Sequence, residues 1–273
     1  MSRCVGVRRS IRDLVAFTAR REVGLSIVFL LAMLAMWEWL PPALGIPTFI
    51  LPPISDVARE FVRLHARENL WAHTGVTLAE VAAGFLLGSL LGMITGYVLG
   101  LSRTAEFLLS PYILMLQIAP KVAFAPLFIM WLGYTVYPKI LVAVLIVFFP
   151  IAINVLKAMH AVDPALINLA RSFSASRVQI FWKVEYPASM PALFAGLRIG
   201  STLAVIGIVV GEFVGGNEGL GYLLILGEGQ GRTAMVFASI ILLTVVGILA
   251  YVAVLGLERH VLHYMPERSV ANA

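Results

Sequence analysis

The side chains able to do chemistry are few, and they sit in apolar surroundings. Lys121 follows Pro120 inside an apolar run that also holds Pro111, Gln117 and Pro126. Prolines there free carbonyls that a bilayer cannot satisfy, so the run must break near Pro120 and face protein or a polar path. At that break Lys121 can meet an anionic solute, pair with a carboxylate, or snorkel to the interface. Glu212 ends another apolar run. An ionisable group there either caps the entrance of a pathway or is hydrated at the interface. Arg198, nearer the other end of that run, reads as a tie to loop carbonyls or lipid phosphate. Glu38 and Glu80 read as solvated helix-end residues. Bond-making chemistry finds no constellation: the chain has no GxxxxGK[ST], HExxH or GxSxG, and a single cysteine, Cys4. No catalytic residue and no metal site is expected.

Residues 163–187 carry the densest local signals. Asp163 suits an N-cap and Pro164 the first helical position. Ser176 and Gln179 have the spacing of a capping box, which starts a second short helix. The hinge between the two falls at about Phe173–Ala175. The pattern predicts a helix–turn–helix knob exposing Phe173, Val178, Phe181 and Trp182. Such a knob fits either a partner with a matching cleft or the membrane surface.

The elements that must hold these residues follow from composition. Of the 273 residues 60% are apolar and 13% charged, with a net charge of +5. A soluble core cannot bury that excess, so the bilayer is the solvent for much of the surface. Soluble enzymes and nucleic-acid binders are excluded. Apolar runs at about 24–40, 77–101, 107–132, 138–157, 189–212 and 235–257 predict an all-α, polytopic protein with six transmembrane helices. Gly84, Gly88, Gly92, Gly96 and Gly100 recur every fourth residue. They form a stripe along one side of the second span, where another helix can approach closely. Residues 55–67 read as a short amphipathic helix capped by Ser55 or Asp56.

Basic residues orient the spans. With the N-terminus in the cytoplasm, thirteen of the twenty Lys and Arg lie in cytoplasmic segments. Five (Arg59, Arg63, Arg67, Lys139 and Arg232) lie outside, and Lys121 and Arg198 remain within spans. That asymmetry predicts both termini inside. The expected organisation is a basic cytoplasmic segment at 1–23, a first span at 24–40 and an extracytoplasmic segment at 41–73. A core at 74–258 follows, with a cytoplasmic loop at 158–188, and then a cytoplasmic tail at 259–273.

The loop resembles the cytoplasmic "EAA" loop of ABC transporter permease subunits. That pattern is Glu-Ala-Ala, three residues, Gly, nine residues, Ile-x-Leu-Pro. Asn168-Leu169-Ala170, Ser174 and Val184-Glu185-Tyr186-Pro187 stand at the corresponding positions. Ala170 and Pro187 agree with the pattern, whereas Asn168, Leu169, Ser174 and Tyr186 depart from it. Ile118 to Ala123, Trp131-Leu132-Gly133, Gly196-Leu197-Arg198 and Gly219-Leu220-Gly221 are also similar to words of this family. The similarity is strongest to the branch of nitrate, sulfonate and taurine importers.

The resemblance implies a type I importer permease in the bacterial inner membrane. It would work as two copies with two ATPase subunits and an extracytoplasmic binding protein. Asn168, Ala170, Arg171, Phe173, Ser174 and Pro187 would form the ATPase-coupling surface, and Pro120, Lys121 and Glu212 would border the pathway. ATP and Mg would be held by the ATPase, and this chain would hold no cofactor. A secondary transporter driven by an ion gradient also tolerates broken helices and midplane charges. The short chain, the lack of a visible inverted repeat and the knob weigh against it.

Overall fold

In a computed structural model, which describes residues 3–263 and side chains from Val23 onward, five of the six apolar runs become continuous helices longer than the runs themselves. In chain order these are α1 (Arg3–Ala43), α2 (Ile54–Arg67), α3 (Leu70–Leu101) and α4 (Arg103–Ile118). A 3₁₀ turn (Lys121–Phe124) leads into α5 (Ala125–Leu132), α6 (Val136–His160), α7 (Pro164–Ser172) and α8 (Arg177–Ile180). A π-helical turn (Phe181–Glu185) then runs into α9 (Tyr186–Gly215), followed by α10 (Leu220–Gly229) and α11 (Thr233–Val261). No strand occurs among the described residues.

Five stretches are continuous and membrane-length: Val23–Ala43, α3, α6, the stretch Arg177–Gly215 and α11. The sixth span is broken, because α4 and the segment Lys121–Leu132 meet at 86°. The break falls at Ala119–Pro120, where proline cannot continue the donor ladder of α4.

One local expectation is corrected: neither Ser55 nor Asp56 caps α2. The helix starts at Ile54, and the carboxylate of Glu38 in α1 accepts the Ser55 N–H at 2.9 Å. Glu38 is therefore a cap supplied from another helix, while its side chain stays partly exposed. Pro41 and Pro42 sit in the last turn of α1. Gly45, at φ +68°, closes that turn, with the Ile46 N–H donating to the Pro41 carbonyl at 2.9 Å.

The core is α6 clasped between α3 and α9. A Cβ at Gly84 would lie 2.6 Å from the Ala143 Cβ, and one at Gly92 would lie 2.6 Å from the Phe148 carbonyl oxygen. Gly96 and Gly100 meet Ala152, Val155 and Met159 as closely. The predicted stripe thus seats α6 on α3 at backbone contact. A second stripe, which sequence inspection passed over, lies on α9. Cβ atoms at Gly207 and Gly211 would lie 2.6 and 2.7 Å from the Cα atoms of Ala143 and Lys139. In a bilayer, where helix association depends on close packing, such contacts carry the assembly. Gly92→Val should lower stability by about 1–3 kcal/mol through overpacking. A drop in the melting temperature of the detergent-purified protein reads this out. Gly256→Val, where nothing lies within 4 Å, should leave it unchanged.

Outside this core, α4 contributes no buried residue, and Val23–Ala43 packs mainly through its end. Trp37 tilts against Phe237 at 5.4 Å and donates to the Pro52 carbonyl at 3.1 Å.

Candidate functional site

The residues singled out in sequence fall into three places. The first is the knob. The Asp163 carboxylate accepts the Ala165 N–H at 2.8 Å, and Pro164 opens α7. α7 ends in a Schellman arrangement: the Ala175 N–H donates to the Ala170 carbonyl at 3.1 Å and the Ser174 N–H to the Arg171 carbonyl at 2.8 Å. The residue after the cap must then be left-handed, and Ser174 has φ +57°. That geometry accounts physically for a glycine at this position in the pattern the loop resembles. The Ser176–Gln179 capping box closes as expected, with bonds of 3.3 and 2.8 Å. α7 carries no buried residue, and Phe173 at its end is 80% exposed. Asn168, Ala170 and Arg171 share this helix, and Val178 and Trp182 are exposed beside it.

One knob expectation is corrected. Phe181 is not on the exposed face: it packs edge-on to Tyr97 of α3 at 5.4 Å and against Tyr186 at 5.9 Å. The π-helical turn that carries it places Pro187 at the root of α9. Tyr97 in turn meets the Ser189 hydroxyl at 3.0 Å. The knob is therefore anchored to α3 and α9 by aromatic rings, while its tip is free. Relaxing Ser174 removes the left-handed strain. Ser174→Gly should leave the fold intact or raise its stability, whereas Ser174→Val should cost about 1–2 kcal/mol, because a branched Cβ opposes positive φ. Limited proteolysis at 173–176 would report the order.

The second place is the break. Lys121 donates to the Gln117 carbonyl at 2.6 Å, and its ammonium lies 4.9 Å from the Phe149 ring centroid. It ties off one of the carbonyls at the end of α4 and pairs with no carboxylate among the described residues. Pro120, Ile118 and Val122 around it are exposed on the chain.

The third place is a buried polar cluster at the end of the bundle away from the knob. Glu212 is 1% exposed. Its two carboxylate oxygens accept the Thr77 hydroxyl at 2.7 Å and the Gly221 N–H at 2.6 Å. The alternative of a hydrated interfacial group is thereby corrected. Glu80 is likewise buried and not solvated: it pairs with Lys139 of α6. Lys139, counted from the sequence among the outside residues, lies within a span, because α6 starts three residues before it. At the knob end, Arg198 reaches Glu258 of α11 at 3.5 Å in place of loop carbonyls or lipid. None of these partners is readable from a single chain, because each pair joins different helices. Lys and Glu lying inside apolar runs were the available signal. Among the described residues no His, Cys, Asp or Glu side chains group as metal ligands would.

A glycine-packed bundle with one broken span, buried ion pairs and an anchored apolar knob defines a transport permease. The chain belongs to the family described as binding-protein-dependent transport system inner membrane component, whose model matches residues 88–263. It is 38% identical to the riboflavin transport system permease protein RibX of Chloroflexus aurantiacus, over 87% of this chain and 88% of that one. It is 30% identical to the taurine transport system permease protein TauC of Escherichia coli, over 87% of both chains. The fold is similar to that of a chain of the MetNI methionine ABC transporter in an inward-facing form. The TM-score is 0.62 at 21% identity, covering 71% of this chain and 98% of that one. The type I importer permease architecture and the inner-membrane setting follow, and the secondary-transporter alternative finds no support.

Proposed function

We propose that two copies of this chain form the translocation pathway of an ATP-driven importer. ATP and Mg are bound and hydrolysed on separate ATPase chains, and an extracytoplasmic binding protein delivers the solute. This chain holds no cofactor and breaks no bond. The observation that carries the reading is the knob, an apolar tip with no cover of its own, held by caps at both helices and by rings at its root. ATP closing the partner subunits would shift the knobs and with them the α3–α6–α9 core. The cycle then needs only that nucleotide and the loaded binding protein stabilise different states of the bundle.

Both termini lie in the cytoplasm on this reading. With Lys139 set aside because it is buried and paired with Glu80, the remaining basic residues outside Lys121 and Arg198 divide thirteen toward the inner end to four toward the outer. A second copy is supported by α4, whose sixteen residues include none that is buried in one chain. Mild detergent extraction of a tagged copy tests the assembly. An ATPase and an untagged copy should co-purify. If the tagged chain emerges alone under several mild detergents, the proposal fails.

For the solute we propose a small sulfonate-, nitrate- or taurine-like anion, supported by the TauC relative and by an ammonium, Lys121, at the broken span. Exposed Tyr112 on α4, with Trp131 and Tyr134 at and just past the end of α5, and the RibX relative favour a second reading, a planar heterocycle. Binding of taurine and of riboflavin to the partnering binding protein separates the two. Either solute requires the break to be wet. Ala119→Cys or Ala123→Cys should therefore react with a small aqueous thiol reagent in at least one nucleotide state. Complete protection in all states removes Pro120 and Lys121 from the pathway.

A further inference from the structure

The outer cluster does more than bury charge. A helix leaves its first N–H groups without partners. At α10 three consecutive ones, those of Gly219, Leu220 and Gly221, are each taken by a side chain from another helix. His73 Nδ1 accepts from Gly219 at 3.0 Å, Thr77 Oγ1 from Leu220 at 2.8 Å, and Glu212 Oε2 from Gly221 at 2.6 Å. The Thr77 hydroxyl donates its own hydrogen bond to Glu212 Oε1, so acceptor and donor are both used. A carboxylate at that position also meets the positive end of the helix dipole. The glycines are required by this contact. A Cβ at Gly221 would lie 2.7 Å from Glu212 Oε2, and one at Gly219, whose φ is +110°, would collide with the same carboxylate. His73 also stacks on Tyr222 at 5.9 Å. One turn further along α3 from Thr77, Glu80 holds Lys139 of α6, so the cluster reaches all three core helices.

The other end of α10 is held differently. Arg232, just beyond its closing Gly231, pairs with Glu60 of the outer helix α2 and with Glu68 just past the end of that helix. α10 is thus a short helix strung between the core and the outer surface: Leu220 and Leu223 pack into the apolar core, and the polar part of its core attachment is made by one carboxylate, one hydroxyl and one imidazole, all at its first turn.

We propose that Glu212, Thr77 and His73 form a latch that closes α10 onto the core at the extracytoplasmic end, and that the transport cycle opens it there. The inference rests on the importer reading and assigns Glu212 as a positioning residue, not as a contact for solute. The latch breaks as a unit: losing the Thr77 hydroxyl strands both the Leu220 N–H and a Glu212 oxygen. The glycine contacts of Gly88, Gly92, Gly96 and Gly207 with α6 involve none of these three side chains.

The test is local accessibility in the full chain, reconstituted with its ATPase in a Cys4→Ser background. Leu223 on α10 is fully buried, and Leu223→Cys should react slowly with a membrane-impermeant maleimide. Adding Thr77→Val or Glu212→Gln should speed that labelling about tenfold or more, the effect of losing a charge-assisted hydrogen bond on a local opening equilibrium. In the same backgrounds Val147→Cys, in the glycine-packed core, should stay protected. ATP with vanadate should speed labelling of Leu223→Cys alone, in the chain with an intact latch. Unchanged rates in the latch variants overturn the proposal. So does simultaneous exposure of Val147→Cys, which makes the cluster a support of the whole fold. Identical labelling with and without nucleotide overturns the opening step. Failure of the importer reading is read separately, as absence of the ATPase from the purified complex.

Discussion

Phe173→Asp and Ala170→Glu should leave the protein inserted in the membrane, release the ATPase and abolish uptake. Both residues lie on or next to a helix that buries nothing within its own chain, so neither change disturbs the bundle. A knob of this size covers about 300–500 Å² when seated in a cleft, or about 8–12 kcal/mol gross before association costs. A carboxylate inside that contact would be desolvated without a partner and cost several kcal/mol. That is enough to empty the site at working concentrations. Co-purification of the ATPase measures it, with uptake followed in parallel and membrane insertion checked by the yield of extracted chain. Ser174→Gly is the matched control, since it changes the same turn without adding charge. Normal ATPase retention by both charged variants would remove the loop from the coupling role.

Breaking the Glu80–Lys139 pair should be the most damaging single change to stability. Lys139→Met leaves the Glu80 carboxylate buried and unpaired between α3 and α6, which costs about 3–5 kcal/mol. One Glu80 oxygen has no hydrogen bond, so the Lys139 ammonium is the cation on which this buried carboxylate depends. The double variant Glu80→Gln/Lys139→Met removes both charges and should recover most of the loss. Thermal unfolding of the four proteins in one detergent yields the coupling energy. Additive losses would show that the two side chains do not depend on each other. Because the pair joins the helices that the glycine stripe packs, Lys139→Met should also lower the yield of folded chain in cells.

The knob was legible almost residue by residue, because caps are local. Asp163 with Pro164, and Ser176 with Gln179, satisfy N–H groups two or three residues away, so their spacing is their geometry. Phe181 was misread for the opposite reason. Its exposure is set by Tyr97, which lies on a different helix, and by a π-helical turn that shifts the register of every following side chain. The α9 glycine stripe was visible as letters but not as a pattern. Gly200 and Gly207 are seven residues apart, and only the shared neighbour Ala143 shows that Gly207 and Gly84 serve one contact.

What the sequence by itself determined is whatever depends on neighbours along the chain: the bilayer as solvent, the six apolar runs, the proline break, the fourfold glycine step and the capped knob. Hydropathy and helical period are sums over adjacent residues, and adjacency is what a sequence records. The tertiary structure alone decided the partners of the buried charges. Glu212 binds the start of α10, Lys139 meets Glu80, Arg198 meets Glu258 and Glu38 caps α2. Each of these groups carries a desolvation cost that some opposite group must offset. That requirement can be read from one residue, but which group meets it depends on which helices the glycines allow to touch.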